Sequence, residues 1–136
     1  FRPAEVAESK MKKGQADDAL STLHLVENPD VLKGLVAARE RSEIPAECVI
    51  VGFAAETGDS THTPLEHGLA KTKRKGCDLL MCNEVGRNKT FGSSSNSGWL
   101  IDKAGGYKEI ETASKYVVAG QILDAVATLA PHHLHV

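Results

Sequence analysis

The chain has 136 residues, of which 41% are hydrophobic and 25% are charged. This length suits one domain or a large part of one, and the composition is that of a soluble protein with a real core. The formal net charge of -2 argues against a nucleic-acid-binding domain, because such domains are usually basic. No apolar run approaches the roughly 20 residues that span a bilayer, and no secretory signal is visible. The sequence therefore predicts a cytoplasmic protein that binds neither nucleic acid nor membrane.

The cysteines and histidines do not predict a metal site. Cys48, Cys77 and Cys82 are an odd number in a chain without a secretory signal, which indicates reduced thiols. Cys77 and Cys82 lack the two-residue spacing of a zinc knuckle. The last three histidines, at positions 132, 133 and 135, lie in a terminal tail that rarely builds a defined site. We therefore expect no metal ligands among these residues.

The first quarter of the chain predicts a flap, a strand and the start of a helix. Residues 1–18 are polar and rich in lysine, as in a loop. From Ser21 to Val26 apolar and polar residues alternate, which predicts a half-buried strand of the sheet. Asn28-Pro29-Asp30 predicts a helix start, because asparagine can cap, proline suits the first turn and aspartate faces the positive end of the helix dipole. This helix should run to about Arg41.

Two buried strands and a well-marked helix follow. The apolar run Cys48–Phe53 predicts a strand buried on both faces, as in a parallel sheet covered by helices. Thr63 and Glu66 have the spacing of a capping box, and Gly76 is a typical stop, so a helix is expected over about 64–75. The next buried strand is predicted at 78–82.

The C-terminal third predicts a hairpin and one more helix. Strands at 97–102 and 107–111 are joined through Gly105-Gly106, and Ser114 can cap the helix that follows. Strands that alternate with helices predict a three-layer, Rossmann-like α/β fold with a mainly parallel sheet, followed by this hairpin and helix. Ligands bind such sheets at the carboxyl ends of the strands, which selects the loops at 27–30, 53–59 and 83–92.

Two clusters of lysines could bind an anion. Lys71 and Lys75 are four residues apart and share a face of the predicted helix, within a run of four positive charges. A solvated surface is the ordinary explanation of such a run, and phosphate binding is the alternative. Lys10-Met11-Lys12-Lys13 lies in the predicted flap, which either is simply soluble or closes over a polyphosphate to stabilise charge.

Three further positions face the predicted ligand edge. The helix start at Asn28–Asp30 offers free backbone N–H groups as well as ordinary capping. Phe53 could stack on a nucleobase or be a core aromatic, and Asn83 could bond a substrate or hold its own turn. The sequence contains no pattern of a Ser-His-Asp or Cys-His nucleophile, a Walker loop or a dinucleotide fingerprint.

Taken together, these segments resemble the ligase domain of the bacterial bifunctional phosphopantothenoylcysteine decarboxylase/phosphopantothenate–cysteine ligases. The most specific string is Val-Gly-Phe-Ala-Ala-Glu-Thr at 51–57, and the form with Gly76-Cys77 and Gly98-Trp99-Leu100 is similar to actinobacterial members. The likeness extends to about Leu129. The matching segments, in the order of the family, are 10–13, 25–32, 51–57, 70–80, 83–85, Phe91 and 95–96.

The resemblance implies a CTP-dependent ligase of coenzyme A synthesis. Enzymes of this family activate the carboxylate of 4′-phosphopantothenate with CTP, which gives an acyl-cytidylate and pyrophosphate. The amine of L-cysteine then attacks, giving phosphopantothenoylcysteine and CMP. Mg²⁺ accompanies the triphosphate, whereas FMN belongs to a separate decarboxylase domain. The resemblance also implies a homodimer.

The same resemblance implies roles for individual residues. Lys10 would be the catalytic lysine of the flap and would also reach the nucleotide. Lys71 and Lys75 would contact the triphosphate, and Asn83 would belong to a substrate loop. Glu84 stands where the family usually has aspartate, so its role stays open. The residues that would line the nucleotide pocket are Pro29, Asp30, Val31, Leu32 and Phe53.

Residues 1–131 are interpreted as the C-terminal part of the CTP-binding ligase domain, and 132–136 as a tail. The first half of the family's domain, with its glycine-rich turn and dimer contacts, would precede Phe1, so that residues 1–136 need not be active alone. Two alternatives remain open. One is a ligase of the same fold that uses ATP, and the other is a non-catalytic nucleotide-binding or assembly module.

Overall fold

The computed structural model describes residues 1–10, 12, 22–86 and 95–130, and the side chains of all of these except 95–97 and 112. These residues form two compact units, Phe1–Asp30 and Val31–Val136. The predictions that concern Met11, Lys13, Phe91 and the tail histidines lie outside the described residues.

In the first unit, β1 (Arg2–Pro3) and β2 (Leu25–Val26) form a two-stranded antiparallel sheet. The prediction of a half-buried strand from Ser21 to Val26 in the parallel sheet was wrong. Among its described residues, 22–26, only Leu25 and Val26 are in a strand, and Leu25 is 54% exposed. The alternation of apolar residues was misleading because β2 pairs only with the two-residue strand β1, which is too short to bury Leu25 and Val26.

The elements of the second unit are α1 (Val31–Glu40), β3 (Val51–Glu56), α2 (Pro64–Lys75), β4 (Leu79–Glu84), β5 (Ser95–Asp102), β6 (Tyr107–Ser114) and α3 (Lys115–Leu129). The strands form a four-stranded sheet in the order β3-β4-β5-β6, in which β3 and β4 are parallel and the other neighbours antiparallel. The helices α1 and α2 pack on one face of the sheet and α3 on the other. The three-layer α/β fold with its hairpin and last helix is confirmed, and β3 and β4 are the parallel part of the sheet.

The start of α1 differs from its predicted position. The helix begins at Val31 rather than at Pro29. Asn28, the expected cap, accepts a hydrogen bond at its Oδ1 from Nη1 of Arg2, 3.1 Å away, and so belongs to the first unit. The helix therefore begins two residues later than its capping signal predicts, because the competing partner of Asn28 lies 26 residues away in the sequence.

The strand predicted at Cys48–Phe53 is displaced towards its C-terminus and covers Val51–Glu56. Cys48 lies in a turn, in which its N–H donates to the carbonyl of Pro45 at 3.1 Å. The N–H of Ile50 donates to Oδ2 of Asp78 at 2.8 Å, and Nη1 of Arg39 lies 2.5 Å from the same oxygen. Arg39 also donates through Nη1 to the carbonyl of Cys48 at 2.7 Å, so that side chains occupy backbone groups just before Val51, where the ladder with β4 begins.

The core is built around β4, whose side chains are buried on both faces. Leu80 and Cys82 point towards α1 and α2, whereas Leu79 and Met81 point towards α3. β3 was expected to share this environment, but its second face is covered only at Val51. Phe53 is 67% exposed, because α3 packs over β5 and β6 rather than over β3.

Both ends of α2 were predicted correctly. Oγ1 of Thr63 accepts the backbone N–H of Glu66 at 3.2 Å, and Oε2 of Glu66 accepts the backbone N–H of Thr63 at 2.7 Å. Gly76 ends the helix with a φ of 75°, a left-handed conformation that glycine adopts without steric cost. This reciprocal capping fixes the first turn of α2 near the carboxyl end of β3.

The last helix, α3, has the predicted cap. Oγ of Ser114 accepts the N–H of Val117 at 3.3 Å. The face that packs on the sheet includes Val118, Ile122 and Val126. Leu123, which is also apolar, is 66% exposed. The apolar positions of α3 therefore surround more of the helix than the sheet covers.

The close approach of α2 to β4 depends on Gly68. A Cβ at this position would lie 2.8 Å from Sγ of Cys82 and 2.8 Å from Cδ1 of Ile101, which is shorter than real Cβ contacts. Gly120 in α3 has no atom within 4 Å of such a Cβ. The two glycines are therefore both helical but differ in the space around them.

We expect Gly68→Ala to destabilise the 136-residue chain by about 1–3 kcal/mol, because the added methyl group overpacks the core. Gly120→Ala is the matched control and should stabilise it by about 0.5–1 kcal/mol through helix propensity. Urea unfolding measures both changes. Equal stabilisation by the two substitutions would contradict the close packing of α2 on β4.

Candidate functional site

The candidate site lies at the carboxyl ends of β3 and β4, where ligands of parallel sheets bind. The two strands end together, because Glu56 pairs in register with Glu84 and Ala55 with Asn83. The N–H of Val85 donates to the carbonyl of Glu56 at 2.9 Å and extends this pairing beyond the strands. Since side chains alternate along a strand, the edge presents different residues on its two faces.

On the face that packs against α2, Lys71 forms an ion pair with Glu56 through Nζ and Oε1. The side chains are 28% and 16% exposed, so the pair is largely shielded from water. Side chains of a helix lean towards its N-terminus, and the N-terminus of α2 lies near the end of β3. Lys71 therefore reaches back to the site-bearing edge although it lies in the second turn of the helix.

Cys82 lies beside this ion pair in the core. The pKa of its thiol is raised to about 11, chiefly by burial and in smaller part by the charge of Glu56, while the charge of Lys71 opposes the shift. Burial also raises the pKa of the Cys77 thiol. Both cysteines are therefore protonated at neutral pH and act as core residues rather than as nucleophiles or metal ligands.

The lysine-rich run lies on α2 as the spacing predicted. Lys71 and Lys75 are half-buried, whereas Lys73 and Arg74 are exposed. The prediction that Lys71 and Lys75 share a face of a helix is confirmed. Their contact with a triphosphate stays a prediction.

Phe53 and Asn83 lie on the opposite face of the sheet from Lys71. Phe53 pairs in register with Met81, so its ring and the side chain of Asn83 occupy neighbouring strands on one face. The 67% exposure of Phe53 rules out the interpretation as a core aromatic. An exposed ring at a ligand-type edge can pack on a flat group such as a nucleobase.

The two nucleotide-pocket candidates in α1 have different environments. Leu32 packs against the core cluster, and its Cδ2 would lie 2.7 Å from a Cβ on residue 52, which explains why that position is Gly52. Val31 is 72% exposed. Of the pair, only Val31 presents its side chain to solvent, and a nucleotide contact with either residue stays a prediction.

The remaining candidates belong to the first unit. Lys10, Pro29 and Asp30 are all exposed there, and so is Lys12 of the predicted flap. Their predicted roles in nucleotide binding and catalysis stay predictions.

Sequence reasoning missed Glu56 as the partner of Lys71, although a signal was present. Glu56 lies two residues after the buried Ala54, and the period of two in a strand places both side chains on the same inward face. An acid on that face requires a compensating charge. The adjacent helix with its lysines is the evident source.

The loop between β3 and α2 holds a second feature that the sequence did not reveal. The carboxylate of Asp59 accepts hydrogen bonds from the N–H groups of Thr61 (2.8 Å) and His62 (2.7 Å) and from the Thr61 hydroxyl (2.9 Å). Nε2 of His67 on α2 lies 2.9 Å from its other oxygen. The two backbone N–H groups, first of all that of Thr61, hold the pKa of Asp59 far below its usual value.

Within the ranges that the structure covers, no three His, Cys, Asp or Glu side chains are grouped so that they could hold a metal ion. In the same ranges no helix is both long and apolar enough to cross a membrane.

The fold, together with the aligned carboxyl ends of β3 and β4, defines a three-layer α/β domain of the Rossmann-like class. A family model described as the DNA/pantothenate metabolism flavoprotein C-terminal domain matches residues 1–129. The chain therefore belongs to this family, and the resemblance seen in its sequence is confirmed.

Relatives with known names cover nearly all of the chain. It is 46% identical over 128 residues to the coenzyme A biosynthesis bifunctional protein CoaBC of Mycobacterium tuberculosis, which is 94% of this chain and 30% of that protein. It is 35% identical over 131 residues to the protein of the same name from Bacillus subtilis, which is 96% of this chain and 29% of that protein. The chain thus spans about 30% of the length of these relatives.

A solved structure supports the fold. The crystal structure of the C-terminal domain of coenzyme A biosynthesis bifunctional protein CoaBC superposes with a TM-score of 0.53 at 24% identity. The superposition covers 75% of this chain and 44% of that chain. At this identity the likeness concerns the fold alone.

The depressed pKa of Asp59 predicts a pH dependence of stability. Its contribution is fully present above about pH 4, the ordinary pKa of an aspartate, and is lost as pH falls towards the lower pKa of the folded state. The free energy of unfolding should therefore decline less steeply between about pH 4 and 2 in Asp59→Asn than in the unchanged chain.

Urea unfolding at a series of pH values measures this difference. Glu47→Gln removes an exposed carboxylate elsewhere in the second unit and serves as the control for the loss of one charge. Parallel pH profiles for the unchanged chain and Asp59→Asn would disprove the role of the loop.

Proposed function

We propose that the chain is the CTP-binding part of a ligase that joins 4′-phosphopantothenate and L-cysteine in coenzyme A biosynthesis. The observation that carries the proposal is the position of Lys71. A lysine held at the carboxyl end of a parallel strand, within a family whose named relatives act in coenzyme A biosynthesis, suits a triphosphate site. The exposed ring of Phe53 at the same edge suits the base of the nucleotide.

The chemistry explains why cations are needed. A carboxylate is a poor acyl donor, so an oxygen of 4′-phosphopantothenate attacks the α-phosphorus of CTP and expels pyrophosphate, which leaves an acyl-cytidylate. The amine of cysteine then attacks the acyl carbon, CMP leaves with the bonding electrons, and the amine loses a proton. Fixed positive groups stabilise the negative charge that accumulates on the phosphates during the first step.

The residue roles in this proposal are those that the family resemblance implies. Lys71 and Lys75 bind the outer phosphates, and Lys10 is the catalytic lysine that reaches the nucleotide from the flap. Asn83 belongs to the loop that binds the substrate. The residues that line the nucleotide pocket are Pro29, Asp30, Val31, Leu32 and Phe53.

The proposal extends to cofactor, partners and location. Mg²⁺ enters as the complex with CTP and shields its charge, so it is part of the substrate. FMN belongs to the decarboxylase domain of the bifunctional relatives. The working form is a cytoplasmic homodimer, in which the second subunit helps to close the site over the flap.

The reaction itself tests the proposal. The full-length polypeptide that carries this chain should release pyrophosphate when it is given CTP, 4′-phosphopantothenate, cysteine and Mg²⁺, and release should be much slower with ATP. Equal or faster turnover with ATP would instead support the ATP-using ligase. Binding of CTP without formation of phosphopantothenoylcysteine would support the non-catalytic module.

We expect Lys71→Ala and Lys75→Ala each to weaken CTP binding by about 1.5–3 kcal/mol, which is roughly 10- to 100-fold. CMP should be affected much less, because the lost contacts lie on the outer phosphates. Lys73→Ala is the matched control, since it removes an exposed lysine from the same helix. Calorimetry gives the affinities, and an equal loss for CTP and CMP would place the two lysines away from the outer phosphates.

A further inference from the structure

We infer that Glu56 is the counter-ion that holds Lys71 in the absence of nucleotide, and that it competes with the triphosphate for the ammonium group. Glu56 is thereby a positioning residue that sets the affinity of the site for polyphosphate below the value that Lys71 alone would give. The inference rests on the proposed role of Lys71 in binding phosphate.

The side chains of Glu56 and Lys71 differ in how freely they can move. The backbone of Glu56 is fixed by its register with Glu84 in β4 and by the bond from the N–H of Val85 to its carbonyl. Its side chain is 16% exposed, and Oε1 is shielded from solvent. Lys71 is the longer and more exposed partner, with 28% of its side chain accessible. An anion that arrives at the edge can therefore draw Lys71 towards itself, while the carboxylate stays in place.

The edge is also unfavourable to anions in itself. Glu84 is paired in register with Glu56 and points to the same face of the sheet. A phosphate that reaches Lys71 must approach the carboxylate of Glu56, and like charges repel strongly where the effective dielectric constant is low. The acids at the strand ends thus oppose the binding that the lysine promotes.

Magnitudes decide which effect of Glu56 is larger. Drawing the ammonium group of Lys71 from contact with Glu56, about 3 Å, to about 6 Å away gives up an attraction that near a protein surface corresponds to roughly 100-fold in affinity. A pre-positioned lysine avoids a loss of rotamer freedom that corresponds to at most roughly 30-fold. The attraction given up is larger, so the net effect of Glu56 is to weaken polyphosphate binding by about three- to tenfold.

This arrangement suits a site that must release a polyphosphate product. Pyrophosphate carries the same outer phosphates as CTP, so a site that held them with an uncompensated lysine would retain the product as well. When pyrophosphate leaves, Lys71 forms its ion pair with Glu56 again. The site then returns to the arrangement that it has without nucleotide.

Calorimetry with inorganic tripolyphosphate on the full-length polypeptide tests the inference without requiring turnover. Glu56→Gln keeps the shape of the side chain and removes its charge, and it should tighten binding about three- to tenfold. Glu47→Gln removes one exposed charge elsewhere and should leave the affinity unchanged. Glu56→Asp keeps the charge and should remain closer to the unchanged protein than Glu56→Gln does.

A Lys71→Met background shows whether Glu56 acts through Lys71. With no ammonium group to release, only the direct repulsion remains, so Glu56→Gln should then tighten tripolyphosphate binding less than it does in the protein that retains Lys71. A purely structural role of Glu56 cannot produce tighter binding, so weaker or unchanged binding in Glu56→Gln overturns the inference. Equal tightening in both backgrounds overturns it as well.

The outcome also separates this inference from the proposed function. If the unchanged protein binds tripolyphosphate and loses affinity in Lys71→Met, the phosphate role of Lys71 stands, and only the comparison with Glu56→Gln decides the inference. If Lys71→Met binds as tightly as the unchanged protein, the phosphate role of Lys71 is wrong and the inference is wrong with it.

Discussion

The burial of β4 on both faces fixes the positions of the elements around it. Leu80 and Cys82 require cover from one side, which α2 provides at the short distance that Gly68 allows. Leu79 and Met81 require cover from the other side, which α3 provides. The parallel pairing of β3 with β4 then aligns their carboxyl ends, so that Glu56 on the edge meets Lys71 on the covering helix. The candidate site is therefore a consequence of how the core is packed.

Local signals in the sequence predicted what local interactions determine. The capping box at Thr63, the left-handed Gly76 and the apolar run of β4 each act within a few residues, and each was placed correctly. The prediction failed where a distant partner decides the structure. β2 pairs with the N-terminal segment instead of the sheet, and the ladder of β3 starts late because Asp78 binds the backbone of Ile50. A hydrophobic pattern does not specify which strand will lie beside it.

The candidate site shows the same division. Helical spacing sufficed to put Lys71 and Lys75 on one face, and strand order sufficed to put Phe53 and Asn83 at the ligand edge. The sequence did not reveal that Phe53 and Lys71 lie on opposite faces of the sheet, because that depends on where the ladder of β3 begins. It also did not reveal Glu56, although its period-two relation to Ala54 contained the information. A charged residue on the buried face of a strand is thus as informative about a binding site as charged residues on the surface of a helix.

The central claim is that the carboxyl ends of β3 and β4 bind a nucleoside triphosphate through Lys71. The most direct measurement is a crystal structure of the full-length polypeptide with CTP and Mg²⁺ bound. The account predicts oxygens of the outer phosphates about 3 Å from Nζ of Lys71, with the ammonium group drawn away from Glu56. Density for the triphosphate at another part of the chain, with Lys71 still paired to Glu56, would contradict it.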